Sequence, residues 1–587
     1  MKNRPNKPMA LCTALLLTVT ACVDNDYDLG DIDTTTRIPV DNLTIPVNID
    51  VVTLGDIITY DENSKIRPVT IDGHEFYALT ETGNFDSDPI EISKVTAPAP
   101  EVHPTEAWLD RIATATAGAA ATPSISFQIT PMGNDIHYNA GEIDEAIVEL
   151  DAAKTDISFS LTLRSLNITS AFERVEFADV LIQMPKGLTT TCTAGSYNPT
   201  TGLWTIPTLS TSQNHVTATL RASAVDFKTA GATIDATHKF AYDGEFRILA
   251  GTITFITHDI ASIPQNLHIR ADYAITDLVA TSFSGTVNYK LDGIDIAPVD
   301  LGDVPDFFNC EGTDLILNNP QIYLAVNNPV AGERLTCSTG ITLTAMRRDL
   351  PSVDFTPDVN NFSIGANHGI DGPYNFVLAP DNNALTTPAE FSDNLTFVRF
   401  STLGSLLSIP AGSPADAGMP DKIGIALNDP QIPTQNVTDF ALGRQLSGVR
   451  GNYELIAPLS LAAGSMIVYR HTADGWNDED VDAITIEKLS LDVKVSNGSP
   501  LEAELFAWPI GIDGKKIEGV EIKSSHITAG VTDQPVTIEM TGRVQQLDGV
   551  IFEARVAGAG AEVLTPEQSI TLTNIRAKVT GYYEKEL

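Results

Sequence analysis

Apolar and polar residues alternate one by one along several segments of this 587-residue chain. Every second residue is apolar across 157–163, 216–222, 489–495 and 501–507. Side chains of a strand point to opposite faces in turn, so a period of two predicts strands with one buried face. Such a face must be covered by a second layer. The pattern therefore predicts an all-β fold made of antiparallel β-sandwiches.

Two local patterns give more specific predictions. The pair Asn497-Gly498 separates two of the alternating runs, which favours a tight hairpin there because such a turn needs positive φ. Helical spacing is rare in this sequence, and the segment from Thr105 to Leu109 is the best candidate for one short helix.

The N-terminus has the order of a secretory signal. Lys2, Arg4 and Lys7 form a positive region, and an apolar stretch from Met9 to Val19 follows. At about 1.5 Å per residue this stretch is too short to cross a hydrocarbon core of about 30 Å. It has the length of a signal-peptide core, and residues 1–21 are interpreted as a cleaved signal.

The segment Val19-Thr20-Ala21-Cys22 resembles the bacterial lipobox, in which the cysteine is acylated and becomes the new N-terminus. The resemblance implies that Cys22 carries a permanent lipid anchor, since each buried methylene contributes about 0.8 kcal/mol. The alternative is an ordinary signal-peptidase site that leaves Cys22 as a thiol.

An acidic run, Asp24-Asn25-Asp26-Tyr27-Asp28, follows the cysteine. It resembles the export signal of surface lipoproteins in Bacteroidota, which favours the cell surface over the periplasmic face of the outer membrane. Residues 22–43 are predicted to form a flexible acidic tether that would extend at most about 70 Å.

The formal net charge is −40. The negative electrostatic field of such a charge repels nucleic acid and argues against a surface that binds a phosphate backbone. It could attract divalent cations or basic partners, but a solubility coat on an extracellular protein is the simpler interpretation.

Three cysteines remain after the predicted lipidation site. Cys310 and Cys337 could close a disulfide in an oxidising compartment, which would leave Cys192 unpaired. No Cys/His cluster has metal-binding spacing, so small buried residues are an equal alternative for all three.

The segments Met184 to Leu188 and Ser196 to Ile206 resemble Ig-like repeats of bacterial surface proteins, which implies that Trp204 lies in a core. The fold class is thus expected to be several Ig-like antiparallel β-sandwich domains in series after a flexible lipidated tether. The predicted units are a β-rich region with a Pro-rich connector at 44–150, an Ig-like sandwich at 151–275, a sandwich at 276–395 and a C-terminal sandwich region at 396–587.

The sequence also contains an internal repeat, because Leu317-Asn318-Asn319-Pro320-Gln321-Ile322 recurs as Leu427-Asn428-Asp429-Pro430-Gln431-Ile432. A duplicated sandwich domain would explain the separation between the two copies. Together with the segment Asp26 to Thr35 and the C-terminal Leu547-Asp548-Gly549, these strands resemble a group of uncharacterised Bacteroidota lipoproteins. That resemblance implies a location and a fold, and no activity.

Specific catalytic motifs are absent from the sequence: it has no nucleophile elbow, zinc-protease helix, P-loop or dinucleotide glycine pattern. An enzyme is therefore not expected. A carboxylate pair for glycoside hydrolysis stays open as an alternative, because its spacing depends on the fold.

One acidic loop carries the candidate ligand residues Asp474, Trp476, Asp478, Asp480 and Asp482. Asp478, Asp480 and Asp482 have the spacing of the first ligands in a calcium loop, but the segment lacks the glycine and the final glutamate of an EF-hand. A looser Ca²⁺ site or a Trp platform for a sugar ring is one hypothesis, and a solvated turn with Trp476 packed below it is the other. No other metal or cofactor is predicted, and Trp108 and Trp508 are assigned to core or edge packing.

The predicted function is that of a lipid-anchored outer-membrane protein with a non-enzymatic binding or adhesion role. Its expected partners are the membrane, through the anchor, and a glycan or another envelope protein. The alternatives are a surface polysaccharide hydrolase and a structural subunit of an envelope assembly that offers sheet edges to partners.

Overall fold

The structure is a computed structural model. It describes residues 35–46, 64–71, 73–115, 122–302, 304–365, 372–382, 386–414, 417–476, 484–560 and 562–586. No helix among these residues has the length and apolarity that crossing a membrane requires.

Strands dominate the described chain, and the one α-helix is the short Phe227–Ala230. In chain order the first strands are β1 (Thr35–Pro46), β2 (Ile66–Ile71), β3 (His74–Asp86), β4 (Thr96–Ala97), β5 (Thr105–Ala115), β6 (Ser124–Gln128), β7 (Met132–Glu142), β8 (Ile147–Ser165), β9 (Arg174–Gln183), β10 (Leu188–Cys192), β11 (Ser196–Asn198) and β12 (Leu203–Thr211). They are followed by β13 (His215–Asp226), β14 (Thr233–Ile234), β15 (Lys239–Ile256), β16 (Asn266–Ile275), β17 (Leu278–Val279), β18 (Ser282–Lys290), β19 (Val299–Asp300), β20 (Gln321–Val326), β21 (Cys337–Met346), β22 (Val353–Phe355), β23 (Phe362–Ile364) and β24 (Tyr374–Ala379). The last are β25 (Thr396–Arg399), β26 (Lys422–Ala441), β27 (Arg450–Pro458), β28 (Met466–Ala473), β29 (Ile484–Asn497), β30 (Ala503–Gly511), β31 (Glu521–Lys523), β32 (Ser525–Ile527), β33 (Gln534–Val544), β34 (Leu547–Ala557) and β35 (Ile570–Glu586).

The all-β, multi-sandwich fold class is confirmed. Neighbouring strands pair antiparallel throughout the ladders of the described chain, except that β24 and β25 run parallel. The alternating runs fulfil their predicted role: Ile157, Phe159, Leu161 and Leu163 are buried, while the residues between them face outwards.

The two ends of the chain build one unit, here called the terminal sandwich (Thr35–Pro46 with residues 466–586). One sheet has the order β1-β35-β29-β33-β31 and the other has the order β28-β34-β30-β32. Their facing side chains, among them Leu491, Ile538 and Phe552, form a core separate from the rest of the molecule.

The middle sandwich is built from residues 66–90 and 282–460. Its first sheet has the order β2-β3-β27-β20-β24-β25. The second contains β18, β26 and β21, extended by β19, β22 and β23. Phe362 of the second sheet meets Phe376 of the first edge to face, with ring centroids 6.0 Å apart, so the two layers share one core.

The inner sandwich spans residues 96–279. One sheet has the order β10-β13-β8-β16-β5, and the other is organised around β9, β12 and β15. Trp204 is fully buried between them and donates from Nε1 to the Ala194 carbonyl at 2.9 Å, so its predicted core position is confirmed. The long strand β8 also pairs with β18 through its first half, which joins this sandwich to the middle one.

The sandwiches are nested rather than arranged in series. From Thr35 onwards, the described chain first contributes β1 to the terminal sandwich, passes through the middle one, completes the inner one, and then returns in the reverse order. Strand pairs such as β3 with β27 and β1 with β35 cross the predicted boundaries at 150, 275 and 395. The predicted boundaries therefore do not separate consecutive units. They were placed from composition, which marks flexible segments and carries no information on which distant strands pair.

The predicted tether was too long. Residues 35–43 belong to β1, in which Thr35 is the partner of Glu586 and Val40 the partner of Gly581. The apolar residues Ile38, Val40 and Leu43 within a polar segment were the missed signal. The first part of the predicted tether, like Cys22 itself, lies outside the described residues.

Two local predictions were also wrong. The segment from Thr105 to Leu109 is part of β5, not a helix, because its alternation matches the sheet it completes. Asn497-Gly498 makes no hairpin: β29 and β30 lie in opposing sheets of the terminal sandwich. The Asn497 side chain is buried, and its Nδ2 donates to the carbonyls of Leu501 and Thr528 at this corner.

The internal repeat does not mark two domains. Its copies lead into β20 and lie on β26, which face each other in the middle sandwich, where Leu324, Leu427 and Pro430 line one small interior cavity. The repeated hexapeptide therefore supplies two opposing strands of the same unit.

The predicted disulfide between Cys310 and Cys337 is not formed. Cys337 is buried at the start of β21, where its thiol contacts Asn328 Oδ1 at 3.4 Å. Cys310 lies in a turn that leads to Thr313 and the partner strand β28 of the terminal sandwich. The contacts around the two cysteines run to different segments: the turn of Cys310 contacts β28, and Cys337 contacts Asn328. Burial raises the pKa of the Cys337 thiol to about 12.

Candidate functional site

The candidate site is the outward face of the sheet β10-β13-β8-β16-β5 in the inner sandwich. On β5 the alternation turns Leu109 into the core, where it is 1% exposed. The same alternation turns Glu106, Trp108 and Asp110 outwards to solvent. A tryptophan in this register has no core to enter, because its neighbours on that face are charged.

Trp108 is 62% exposed. Its ring stacks on the imidazole of His268, the residue beside it on β16, with centroids 4.2 Å apart and planes inclined by 8°. The imidazole covers one face of the indole, so the exposed area belongs to the opposite face and the ring edge. The stack holds a flat apolar surface open to solvent.

A chain of polar contacts holds this stack in place. His268 Nε2 lies 3.0 Å from Glu106 Oε2. Glu106 is two residues before Trp108 on β5 and faces outwards like it. Arg270 on the next outward position of β16 donates from Nε to Asp272 at 2.7 Å. Arg164 of β8 contacts the other oxygen of Asp272 at 3.1 Å. Arg270 Nη1 also lies 3.8 Å from Glu106 Oε1, so the carboxylate that contacts the imidazole is linked to these ion pairs.

Hydroxyl groups continue the face across β8 and β13. Thr162 Oγ1 lies 2.8 Å from Thr217 Oγ1, and Ser160 Oγ lies 3.5 Å from Thr219 Oγ1. Beyond them Arg221 pairs with Asp156, and its guanidinium hydrogen bonds lower the pKa of that carboxyl. Trp108 on β5 and Arg221 on β13 are separated by three strand intervals of about 4.8 Å, so the face is about 14 Å wide across these strands.

This arrangement suits a neutral polyhydroxylated ligand. A flat aromatic ring can cover the apolar face of a sugar ring, while hydroxyls, carboxylates and guanidinium groups supply acceptors and donors for its hydroxyls. A ligand of several sugars could lie along the face, because the polar groups continue for several strands.

The acidic loop singled out in the sequence presents no aromatic platform. Trp476 is 6% exposed and packs into the core of the terminal sandwich, whereas Asp474 is exposed beside it. The other three carboxylates of the hypothesis, Asp478, Asp480 and Asp482, lie outside the described residues, so the Ca²⁺ site stays a prediction. Within the described ranges, no three His, Cys, Asp or Glu side chains converge in a way that could hold a metal.

Trp508 also lies on an outward face, within β30, but its ring is engaged. Lys516 Nζ is 3.7 Å from the ring centroid. On its other side Phe506 stacks at 5.5 Å, and Arg555 lies over the Phe506 ring. These rings form internal cation–π contacts and are less open to a ligand than Trp108.

One carboxyl pair bears on the hydrolase alternative. Glu454 lines a groove of about 540 Å³ on the middle sandwich. Burial, the nearby charge of Glu390 and a hydrogen bond with that residue raise the pKa of Glu454. Carboxyls of glycoside hydrolases stand about 5 to 9.5 Å apart, whereas this pair is in direct contact. Glu390 and Glu454 therefore lack the separation that the hydrolase needs.

A larger groove of about 720 Å³ opens at one end of the middle sandwich. Its polar lining consists of Asn84, Asp86, Asp295, Asn327, Arg450 and Asn452. Phe85, the aromatic residue of its lining, is 5% exposed. The groove can form hydrogen bonds but offers no open ring on which a sugar could stack.

Sequence reasoning missed the site because it assigned Trp108 to packing and its segment to a helix. The available signal was the spacing of Glu106, Trp108 and Asp110, which places the tryptophan on a charged face of a strand. The partner His268 could not have been found, because it lies 160 residues away in the chain.

No family model and no curated protein matches this chain. A protein from Parabacteroides distasonis ATCC 8503 inferred to be secreted is 15% identical, over 51% of this chain and 90% of that protein, with a TM-score of 0.35. A protein of an archaeal virus with a triple jelly-roll fold is 8% identical, over 83% of this chain and 91% of that one, with a TM-score of 0.10. Similarity at this level carries no argument about function.

Proposed function

We propose that this chain is a lipid-anchored envelope protein that binds glycan through the Trp108 face without catalysing a reaction. The open indole stacked on His268 is the observation that carries the binding role. Anchoring rests on the resemblance of Val19 to Cys22 to a lipobox, and placement on the outer-membrane surface rests on the acidic residues after it. The resemblance to Bacteroidota lipoproteins agrees with this location.

The polar surroundings of Trp108 favour glycan over an apolar protein partner. Its neighbours on the face are ion pairs and hydroxyls, whereas the core of a protein interface is usually depleted of charge. The net charge of −40 disfavours nucleic acid, which also stacks on aromatic rings.

Affinity electrophoresis of the purified protein in gels that contain soluble starch, xylan, mannan or mucin tests the proposal. At least one polysaccharide should retard the protein, and Trp108→Ala should weaken that binding about tenfold, since loss of one stacked ring costs about 1–3 kcal/mol and about 1.4 kcal/mol is a factor of ten. Ile112→Ala is the matched control, because Ile112 is 53% exposed on the same strand and lies beyond the pairing of β5 with β16.

Equal retardation of the Trp108→Ala variant and the parent would contradict the proposed site. Release of reducing ends from the retained polysaccharide would instead favour the hydrolase alternative. If the Arg450→Ala variant is no longer retarded while the Trp108→Ala variant still is, the binding site is the groove of the middle sandwich.

A further inference from the structure

The predicted anchor leads directly into the terminal sandwich. β1 begins at Thr35, thirteen residues after Cys22. Thirteen residues reach at most about 45 Å when fully extended. A lipid on Cys22 therefore keeps the start of β1 within that distance of the membrane, and β1 is a strand of the terminal sandwich.

The strand registers define two opposite ends of this sandwich. At the first, here called the anchor end, Ile38 is the partner of Tyr583 and Tyr583 the partner of Ile484. The turn between β33 and β34 is at the same end, since Ile486 is the partner of Val544, and so is the turn after β30, since Leu547 is the partner of Gly511.

The second end carries the rest of the molecule. There Asn497 is the partner of Ile570 and Met466 the partner of Ala557, and β1 ends at Pro46. Backbone bridges join this end to the middle sandwich: Asp314 pairs with Met466, Leu317 with Leu461, and Ser460 with Val563. The inner sandwich is attached in turn to the middle one through β8.

The side chains at the anchor end suit a lipid headgroup surface. Ile38, Ile512 and Tyr583 are 51%, 53% and 38% exposed there, although large apolar side chains are mostly buried in this fold. Arg37 lies over the ring of Tyr582 and pairs with Glu584, and Lys515 is exposed in the turn with Ile512. Tyrosine and basic side chains next to apolar ones are typical of the membrane interface.

From this geometry we infer that the anchor end of the terminal sandwich rests on the lipid headgroups, so that this sandwich is a pedestal for the other two. The inference rests on the proposed lipid anchor. It places the Trp108 face beyond the middle sandwich, at the side of the molecule away from the membrane.

Energy transfer to labelled lipid tests this orientation. The mature lipoprotein with Cys192→Ser and Cys310→Ser is incorporated into phosphatidylethanolamine–phosphatidylglycerol vesicles with an acceptor dye on the headgroups. A donor is placed on Ile512→Cys at the anchor end, on Thr532→Cys at the opposite end of the same sandwich, or on Ile112→Cys in the inner sandwich. The first two sites lie near opposite ends of β33, which is about 35 Å long.

Transfer should be strongest from position 512, weaker from 532 and weakest from 112. Transfer from 532 or 112 that equals or exceeds that from 512 would overturn the orientation. Asp513→Cys replaces the first variant if its melting temperature shows that it is unfolded.

Flotation with the vesicles separates this failure from failure of the anchor. The parent should float and the Cys22→Ser variant should not. If both behave alike, the lipid anchor is wrong and the orientation falls with it. If flotation is as expected but the transfer order is reversed, only the orientation is wrong.

Discussion

Two buried asparagines turn the chain from one layer of a sandwich to the other. Asn497 ends β29 and Asn328 follows β20, and both are 0% exposed. Each donates from Nδ2 to carbonyls across the corner, Asn497 to Leu501 at 2.7 Å and Asn328 to Leu335 at 2.9 Å. Each also accepts a backbone N–H two residues on, from Ser499 and Val330. The side chain replaces hydrogen bonds that the sheets cannot supply at these corners.

Asn497→Ala should lower the free energy of unfolding by about 2–4 kcal/mol, because it leaves buried backbone groups of Leu501, Thr528 and Ser499 without their partner. Urea unfolding followed by Trp fluorescence measures this. Asn361→Ala, at an exposed position, is the control and should change it by less than about 0.5 kcal/mol. Equal effects of the two substitutions would show that the Asn497 hydrogen bonds contribute little.

The same residue shows what sequence could and could not predict. An Asn-Gly pair indicates a change of direction, and the chain does turn there. Whether the turn joins neighbours in one sheet or two opposing sheets depends on the partners of β29 and β30, which are β35 and β34. The core position of Trp204 was predictable because its segment resembles Ig-like repeats, whereas the Trp108 stack requires a partner from β16.

At the scale of elements, β1 decides how the terminal sandwich closes. It covers the edge of β35 along ten paired positions and contributes Val40 to the core. An uncovered strand edge is a site of aggregation, so β1 has a protective as well as a stabilising role. Sequence reasoning read this strand as a polar tether because its apolar residues are few and its partner is the last strand of the chain.

Deletion of residues 35–46 should destabilise the terminal sandwich and lower its melting temperature by on the order of 10 °C, which corresponds to about 3 kcal/mol. Differential scanning calorimetry measures this. Asp41→Ala, which keeps the backbone pairing and changes one exposed side chain, is the control and should have little effect. A deletion variant that melts like the parent would mean that β1 adds nothing to the sandwich.

At the scale of the whole molecule, nesting explains how a chain whose first and last described strands lie in one sandwich can present a distant face. The terminal, middle and inner sandwiches are entered in that order and completed in the reverse order. The all-β class followed from local alternation, which each strand carries in its own residues. The nesting did not, because it depends on pairings such as β3 with β27 over more than 350 residues.

The most direct test of this nested order is a cross-link between the two ends of the chain. Ile38→Cys and Tyr583→Cys, combined with Cys192→Ser and Cys310→Ser, place cysteines at partner positions of β1 and β35. Antiparallel partners have Cα atoms about 4.5–5.5 Å apart, which a disulfide can span. A protease site inserted in the exposed turn at Gly514 divides the chain between them.

Cleavage after mild oxidation should leave two fragments joined until reductant is added. The control pair Ile38→Cys with Lys578→Cys should not form the bond, because Lys578 is the partner of Thr44, about 20 Å along the strand. Fragments that separate without reductant, or a control pair that cross-links equally well, would contradict the pairing of the chain ends and with it the nested architecture.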